Sequence, residues 1–356
     1  MKPTTVSDRF LGAVCVVAAC LGAQLWAASA LAHGVTLKVH HFLPADSPFH
    51  TQFLVPWTQK LEKESGGRLR FQFFPAMQAG GTPAQLYDQA RDGVADIVWT
   101  AAAYTPERFP AFQVFELPFL ARTSQGSSRA LWEYVQANDL SRKEFGDVRL
   151  LAVHQHNASQ FHMVNKPIAS LADLSGVKLR TPTRAASAFL ATAGAVAMEM
   201  PITQVPDALS KGALDGVVTS WVAVPTLKLD ALVKYHSTID DASPWLFSIT
   251  FVLAMHPATY RGLPDDLKQV IRANSGADPS AWIGKVYDDS TANVRKLAAE
   301  RGAAINVLPA EELARWHAPA QGVVDAWLAE LDKRGFSGKE LLESARGSLA
   351  QFDPGR

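Results

Sequence analysis

The residue of this chain with the most to offer chemically is Arg180. It closes the short strand Val177-Lys178-Leu179 and precedes Thr181-Pro182, which stops the strand. In open α/β sheets, ligands collect beyond the carboxyl ends of strands. A guanidinium there can hold a carboxylate through two parallel hydrogen bonds, a geometry that lysine cannot supply. The competing assignment is an ordinary ion pair at the surface or between lobes, and the residues alone leave both open. His154 and His156 share one face of a strand, and His40-His41 end another. That spacing does not match a helix-borne zinc pair, so they read as polar lining or loop residues, and no metal or cofactor is expected. No G-x-S-x-G elbow, G-x-G-x-x-G, P-loop, H-E-x-x-H or C-x-x-C occurs in the sequence, so the chain carries none of the short signatures of an enzyme.

The elements that must position Arg180 alternate. Val35 to Phe42 is a strand with Val35, Leu37 and Val39 on one side, and Phe53, Leu54, Trp57 and Leu61 recur at helical spacing up to Gly66-Gly67. Leu69 to Phe74 is again a strand, giving the β-loop-α-β unit from which parallel sheets are built. Thr82-Pro83 opens a helix through Ala90, Gly93 ends it, and Asp96-Ile97-Val98-Trp99 follows as a strand. The same phrase returns later: a helix over Val205 to Lys211, then Gly212-Ala213-Leu214-Asp215, then the strand Val217 to Trp221. Glycine and aspartate keep the same offset in both copies, which favours two lobes built on one plan. Between the copies lie strands at 148–156, 161–165 and 177–180 and a short helix at 171–174. After them come an aromatic stretch through Trp245, Phe247 and Phe251 that crosses back to the first lobe, a long helix from Ala281 to Glu300, a strand at 304–308 and a helix from Pro309 to Arg334.

At 356 residues, with 48% apolar content, the chain can fill a core in each of two domains. Its 34 basic and 34 acidic residues cancel, so no long-range field draws it toward nucleic acid or an anionic membrane. Lys2 and Arg9 precede an uncharged apolar run from Phe10 to Trp26, and small residues end in Ala30-Leu31-Ala32. That is the grammar of a secretory signal over 1–32 with His33 as first mature residue, and it predicts a periplasmic protein. A retained anchor, or lipidation at Cys20, is the alternative. Cys15 and Cys20 both lie in this segment, so the mature chain would fold without disulfides, on burial alone.

The segment LADLSGVKLRTP from Leu171 to Pro182, the K-G-A-L-D-G turn, the opening HHFLPADSPFH and the stretch DIVWTAAAYTPERFPAFQVFELPFL resemble the solute-binding proteins of TRAP transporters, the DctP type, across nearly the whole mature chain. The resemblance implies an α/β, two-lobe periplasmic-binding-protein-like fold with hinge strands and a long helix bracing both lobes. It places lobe I at 33–157 plus 246–285 and lobe II at 158–245 plus 286–356. It implies that Arg180 pairs with a substrate carboxylate, with Tyr104 and Trp221 at ligand-contact positions. Phe42, Phe247, Ser220, Gln155 and His41 complete the candidate binding set, whereas Trp99 and Phe251 read as packing. Sialic-acid binders of the family carry a second arginine where this chain has Gln160 and an asparagine where it has Thr219; the 2-oxo acid branch has an acidic residue where it has Ser220. One cationic anchor among many rings suits an aromatic or apolar 2-oxo or 2-hydroxy monocarboxylate, captured by a monomer and passed to the membrane subunits. A C4-dicarboxylate or sugar-acid binder of the same family, an ABC-type binding protein and a secreted enzyme acting on a carboxylate are the alternatives.

Overall fold

Alternation places Leu37 and Val39 under the first helices, and the computed structural model, which describes residues 34–354, shows β1 over Val35–His41 with both side chains fully buried. The signal-like segment and both cysteines lie outside the described residues. β1 is flanked in parallel by β2 (Leu69–Phe74) and β3 (Ile97–Ala101). β3 pairs antiparallel with β10 (Thr250–Met255), and β10 pairs antiparallel with β4 (Arg149–Gln155), so the five-stranded sheet runs β2-β1-β3-β10-β4. All of β3 and β10 is buried, which explains their continuous apolar reading.

A second, six-stranded sheet runs β11-β9-β5-β8-β6-β7, built from β5 (Ser159–Met163), β6 (Lys178–Thr181), β7 (Val196–Glu199), β8 (Gly216–Ser220), β9 (Tyr235–Thr238) and β11 (Ala304–Val307). Here β6, β7 and β8 are parallel while β5 runs against β8 and β9. Each sheet is therefore mixed, because the chain enters or leaves each lobe on an antiparallel strand.

The repeated glycine–aspartate phrase does the same work in both lobes. Gly93 and Gly212 turn the chain in the left-handed region, at φ 77° and 69°. Asp96 then brackets Lys38 of β1: its backbone N–H donates to the Lys38 carbonyl at 3.0 Å and its carboxylate accepts from the Lys38 N–H at 2.8 Å. Asp215 brackets Lys178 of β6 identically, at 2.8 Å for each bond. Two aspartates thus lock the entry of a strand beside its parallel neighbour, and Arg180 projects two residues beyond the second lock.

The chain passes between the lobes more than once. Residues 156–158 lead from β4 to β5, residues 239–249 return from β9 to β10, the helix α6 (Ala277–Glu300) passes alongside both, and residues 334–337 lead from α7 (Ala310–Lys333) to α8 (Gly338–Phe352). Among the helices before α6 are α1 (Val55–Glu64), α2 (Leu86–Arg91), α3 (Ser124–Ala137), α4 (Arg184–Thr192) and α5 (Val205–Ser210). Asp288 of α6 accepts from the N–H groups of Ser124 and Gln125 at the start of α3, and from the Asn157 amide in the first crossing at 2.7 Å. Further along, Arg295 pairs with Asp241 of the second lobe at 2.6 Å. α8 returns to the first lobe, although it falls in the range expected for lobe II. Its Leu341, Leu342, Ala345 and Leu349 are buried, and Asp353 accepts from Arg122 N–H, Thr123 N–H and the Thr123 hydroxyl. A carboxylate at the start of α3 also suits the positive end of that helix.

The crossing of α6 over α3 depends on Gly284. A Cβ there would fall inside van der Waals contact of the Ser124 carbonyl and of Gln125 Cα. Gly284→Ala is expected to destabilise the fold by about 2 kcal/mol through overpacking, read as a melting temperature several degrees lower. A variant as stable as the parent would show that the helices part without cost.

Candidate functional site

Between the sheets lies a cavity with walls from both lobes. Arg180 sits on it, 2% exposed. Its Nε donates to the Met200 carbonyl and its Nη1 to the Val218 carbonyl, each at 3.0 Å. These bonds come from the strands on either side of β6 and aim the guanidinium. Among the described residues no acidic side chain pairs with it, whereas most other arginines of the chain have a carboxylate within reach. Burial lowers its pKa, and the Tyr104 hydroxyl beside it partly offsets that. A buried cation without an anion is costly, and the cavity is where an anion would relieve it.

The first lobe contributes rings. Phe42 stacks on Trp99 at 4.8 Å, Trp99 stacks on Phe251 at 4.9 Å, and Tyr104 meets Phe42 edge-on at 5.5 Å. Trp99 Nε1 donates to His154 Nε2 at 2.8 Å, so His154 carries its proton on Nδ1, facing the Gln155 carbonyl at 3.1 Å. The column is thereby held without leaving a polar atom unpaired. The second lobe contributes Pro182, Ile202, Val222 and Ala223 with the hydroxyl residues Thr219 and Ser220. From α6, the bracing helix, comes Tyr287, whose hydroxyl lies near that of Tyr104 and whose pKa burial pushes up. The Tyr104 hydroxyl accepts from the Ile202 N–H at 3.2 Å, a bond from one lobe to the other, so its own proton is free for an anion beside Arg180. Elsewhere Glu107 of the first lobe meets Arg184 and Arg334 of the second, and Trp327 Nε1 donates to the Pro110 carbonyl at 3.1 Å. These contacts also join the two halves.

Of the residues expected to bind, the structure brings Arg180, Tyr104, Phe42 and Ser220 to this cavity. Trp221 follows Ser220 in the turn after β8, and its ring packs away from the cavity, 4.6 Å from His236 and 5.0 Å from His162. Phe247 packs into the second lobe against Phe161 and Phe189. Gln155 is buried, donating from Nε2 to the Phe115 carbonyl at 2.6 Å. His41 is buried against His50, Nε2 to Nδ1 at 2.9 Å. Burial, and secondarily His50, lowers its pKa to about 3. Gln160 borders a separate surface groove rather than this cavity. Trp99 and Phe251, expected to be packing, are packed and also form the wall. Sequence reasoning missed Tyr287, which lies on an expected helix with nothing to mark its inward face; His156, read as a polar lining or loop residue, lies on the wall. Among the described residues no group of three or more His, Cys, Asp or Glu is placed to hold a metal.

The profile of bacterial extracellular solute-binding protein family 7, DctP, matches residues 39–330. The chain belongs to this family. Solved TRAP solute-binding proteins agree in fold. One from Rhodoferax ferrireducens, in complex with copurified benzoate, is 43% identical, with a TM-score of 0.87 over 90% of this chain and 99% of its own. One from a marine metagenome, specific for aromatic acid ligands and holding 3-hydroxybenzoate, is 38% identical, with a TM-score of 0.87 over 90% and 100% of the two chains. A third, from Bordetella bronchiseptica with bound (R)- and (S)-mandelate, is 25% identical, with a TM-score of 0.82 over 89% and 99%. This TRAP solute-binding protein therefore has the two-lobe architecture of those solute-binding proteins, and no helix among its described residues is long and apolar enough to cross a membrane.

Proposed function

We propose that this TRAP solute-binding protein captures an aromatic monocarboxylate in the periplasm and hands it to the membrane subunits of its transporter. The observation that carries the reading is a buried arginine without an acidic partner among the described residues, set in a cavity walled by Phe42, Trp99, Phe251 and Tyr287. The carboxylate supplies the missing anion and the flat ring meets the rings of the first lobe. Since Arg180 belongs to one lobe and the rings to the other, a guest touching both favours the closed state over the open one. A dicarboxylate would bring a second charge to a wall that offers no second cation, and a sugar acid would bury hydroxyls against Phe42 and Ile202. The similar proteins found with benzoate, 3-hydroxybenzoate and mandelate support the same class. The N-terminal signal-like segment supports the location.

Thermal shift against benzoate, mandelate, phenylglyoxylate, succinate and galactonate tests the reading. Ligand at a hundred times its Kd stabilises by about 2.7 kcal/mol, so the aromatic acids should raise the melting temperature by roughly 5 °C. Succinate and galactonate should not. The reverse ranking would refute the assignment, and mass spectrometry showing the acid converted would make the protein an enzyme.

A further inference from the structure

We propose that His156 selects aromatic acids bearing a hydroxyl group, by accepting a hydrogen bond from that hydroxyl at Nε2. This rests on the aromatic-acid reading and refines it. His156 stands in the first crossing between the lobes, 6% exposed, on the cavity wall with Phe251 and Tyr287 for neighbours. Its Nδ1 lies 2.5 Å from the Asn157 carbonyl, which can only accept, so Nδ1 carries the ring proton. Burial, and secondarily the charge of Arg180, lowers its pKa to about 4, so the ring is neutral at physiological pH. Nε2 then presents a lone pair, and the ring's hydrogen bond among the described residues is made by Nδ1.

The other polar groups of the wall are different. The hydroxyls of Ser220, Thr219 and Tyr287 can turn to donate or accept, and Tyr104 has its oxygen occupied and a proton to give. His156 Nε2 is the side-chain group committed to accepting. A guest that fills the cavity with bare hydrocarbon leaves this acceptor stripped of water and unpaired; a guest with a hydroxyl in reach satisfies it. Sites built to bond a hydroxyl discriminate strongly against analogues lacking it, for that reason. A carboxylate cannot take the place, since it offers no proton and would face a lone pair.

Isothermal titration with two pairs of acids tests this: benzoate with 3-hydroxybenzoate, and phenylacetate with mandelate, which carry the hydroxyl on the ring or beside the carboxylate. In the parent protein at least one hydroxylated acid should bind tenfold or more tighter than its partner, and 3-methoxybenzoate, which can accept but not donate, should show no such gain. In His156→Phe the hydroxyl advantage should fall to within twofold, because the hydroxylated acid loses its acceptor and the unsubstituted acid no longer strands one; His156→Gln, which restores an acceptor, should recover part of the advantage. Equal binding within both pairs by the parent overturns the proposal without touching the aromatic-acid reading, as does an advantage that survives in His156→Phe. The methoxy comparison needs no variant, so a misfolded His156→Phe leaves the proposal open to refutation. Failure of all five acids to bind would overturn the aromatic-acid reading and this inference with it.

Discussion

Arg180→Met should bind no aromatic acid measurably while melting, without ligand, within a few degrees of the parent. Each hydrogen bond from a charged donor to a carboxylate contributes about 1.5–3 kcal/mol, so losing two weakens binding by at least about 100-fold. The methionine leaves the ligand's charge in the cavity with only the neutral hydroxyls of Tyr104, Tyr287, Thr219 and Ser220 to meet it. The small effect on melting follows from the same geometry. Without an acidic partner among the described residues, the buried guanidinium costs the ligand-free fold several kcal/mol. Removing it offsets the loss of its bonds to Met200 and Val218. Arg180→Lys should be nearly as damaging to binding, because an ammonium cannot reproduce the two-pronged bond. Calorimetric titration with benzoate decides the matter: affinity within threefold of the parent in Arg180→Met would show that the carboxylate is held elsewhere.

Acidification should destabilise the ligand-free protein by roughly 3–4 kcal/mol per pH unit around pH 5.5. Burial lowers His41, His154 and His162 to about 3 and His156 and His236 to about 4. Unfolded, these rings take up protons near pH 6.5. Between those values the unfolded chain binds more protons, so the stability they contribute is complete above pH 6.5 and is lost as pH falls toward 3–4. Glu116 and Glu144 act oppositely: burial raises each to about 7. They hold protons in the folded state that the unfolded chain releases above about 4.5, so their contribution shrinks as pH rises through that window. Five histidines outweigh two glutamates, and the net slope favours unfolding in acid. The melting temperature should fall by several degrees between pH 6.5 and 5, and the imidazole NMR signals of the five histidines should not titrate above pH 5. A melting temperature that is flat or rises over that interval would show that these rings are not held neutral.

Arg180 was legible because a basic residue ending a short strand before Thr-Pro has few places to go. The two-lobe plan was legible in the repeated Gly-x-x-Asp phrase, and Asp96 and Asp215 make the same pair of bonds to Lys38 and Lys178. Phe42 and Tyr104 follow strands β1 and β3, and both arrive at the cavity. Trp221 was harder. Its position after a strand marked it as strongly as Tyr104, yet the turn after β8 packs its ring beside His162 and His236 while Thr219 and Ser220 stay on the cavity. Gln155 and His156 differ in the same way: the first spends its amide on the Phe115 carbonyl and the second faces the cavity. Tyr287 had no local mark, since a helix of 24 residues that touches both lobes offers several faces with equal claims.

From the order of residues alone came the alternation of helices and strands, the two-lobe plan, the family and the cationic anchor, all of which rest on chemistry within a few neighbouring positions or on a phrase repeated along the chain. Folding decided which rings share the cavity with that anchor, that α8 returns to the first lobe, and that Arg180 stands without a carboxylate beside it among the described residues. Each of these depends on groups far apart in the chain being brought within a few ångströms, and on the side of an element that a residue faces. Neither is settled until two sheets and the helix across them close on one another.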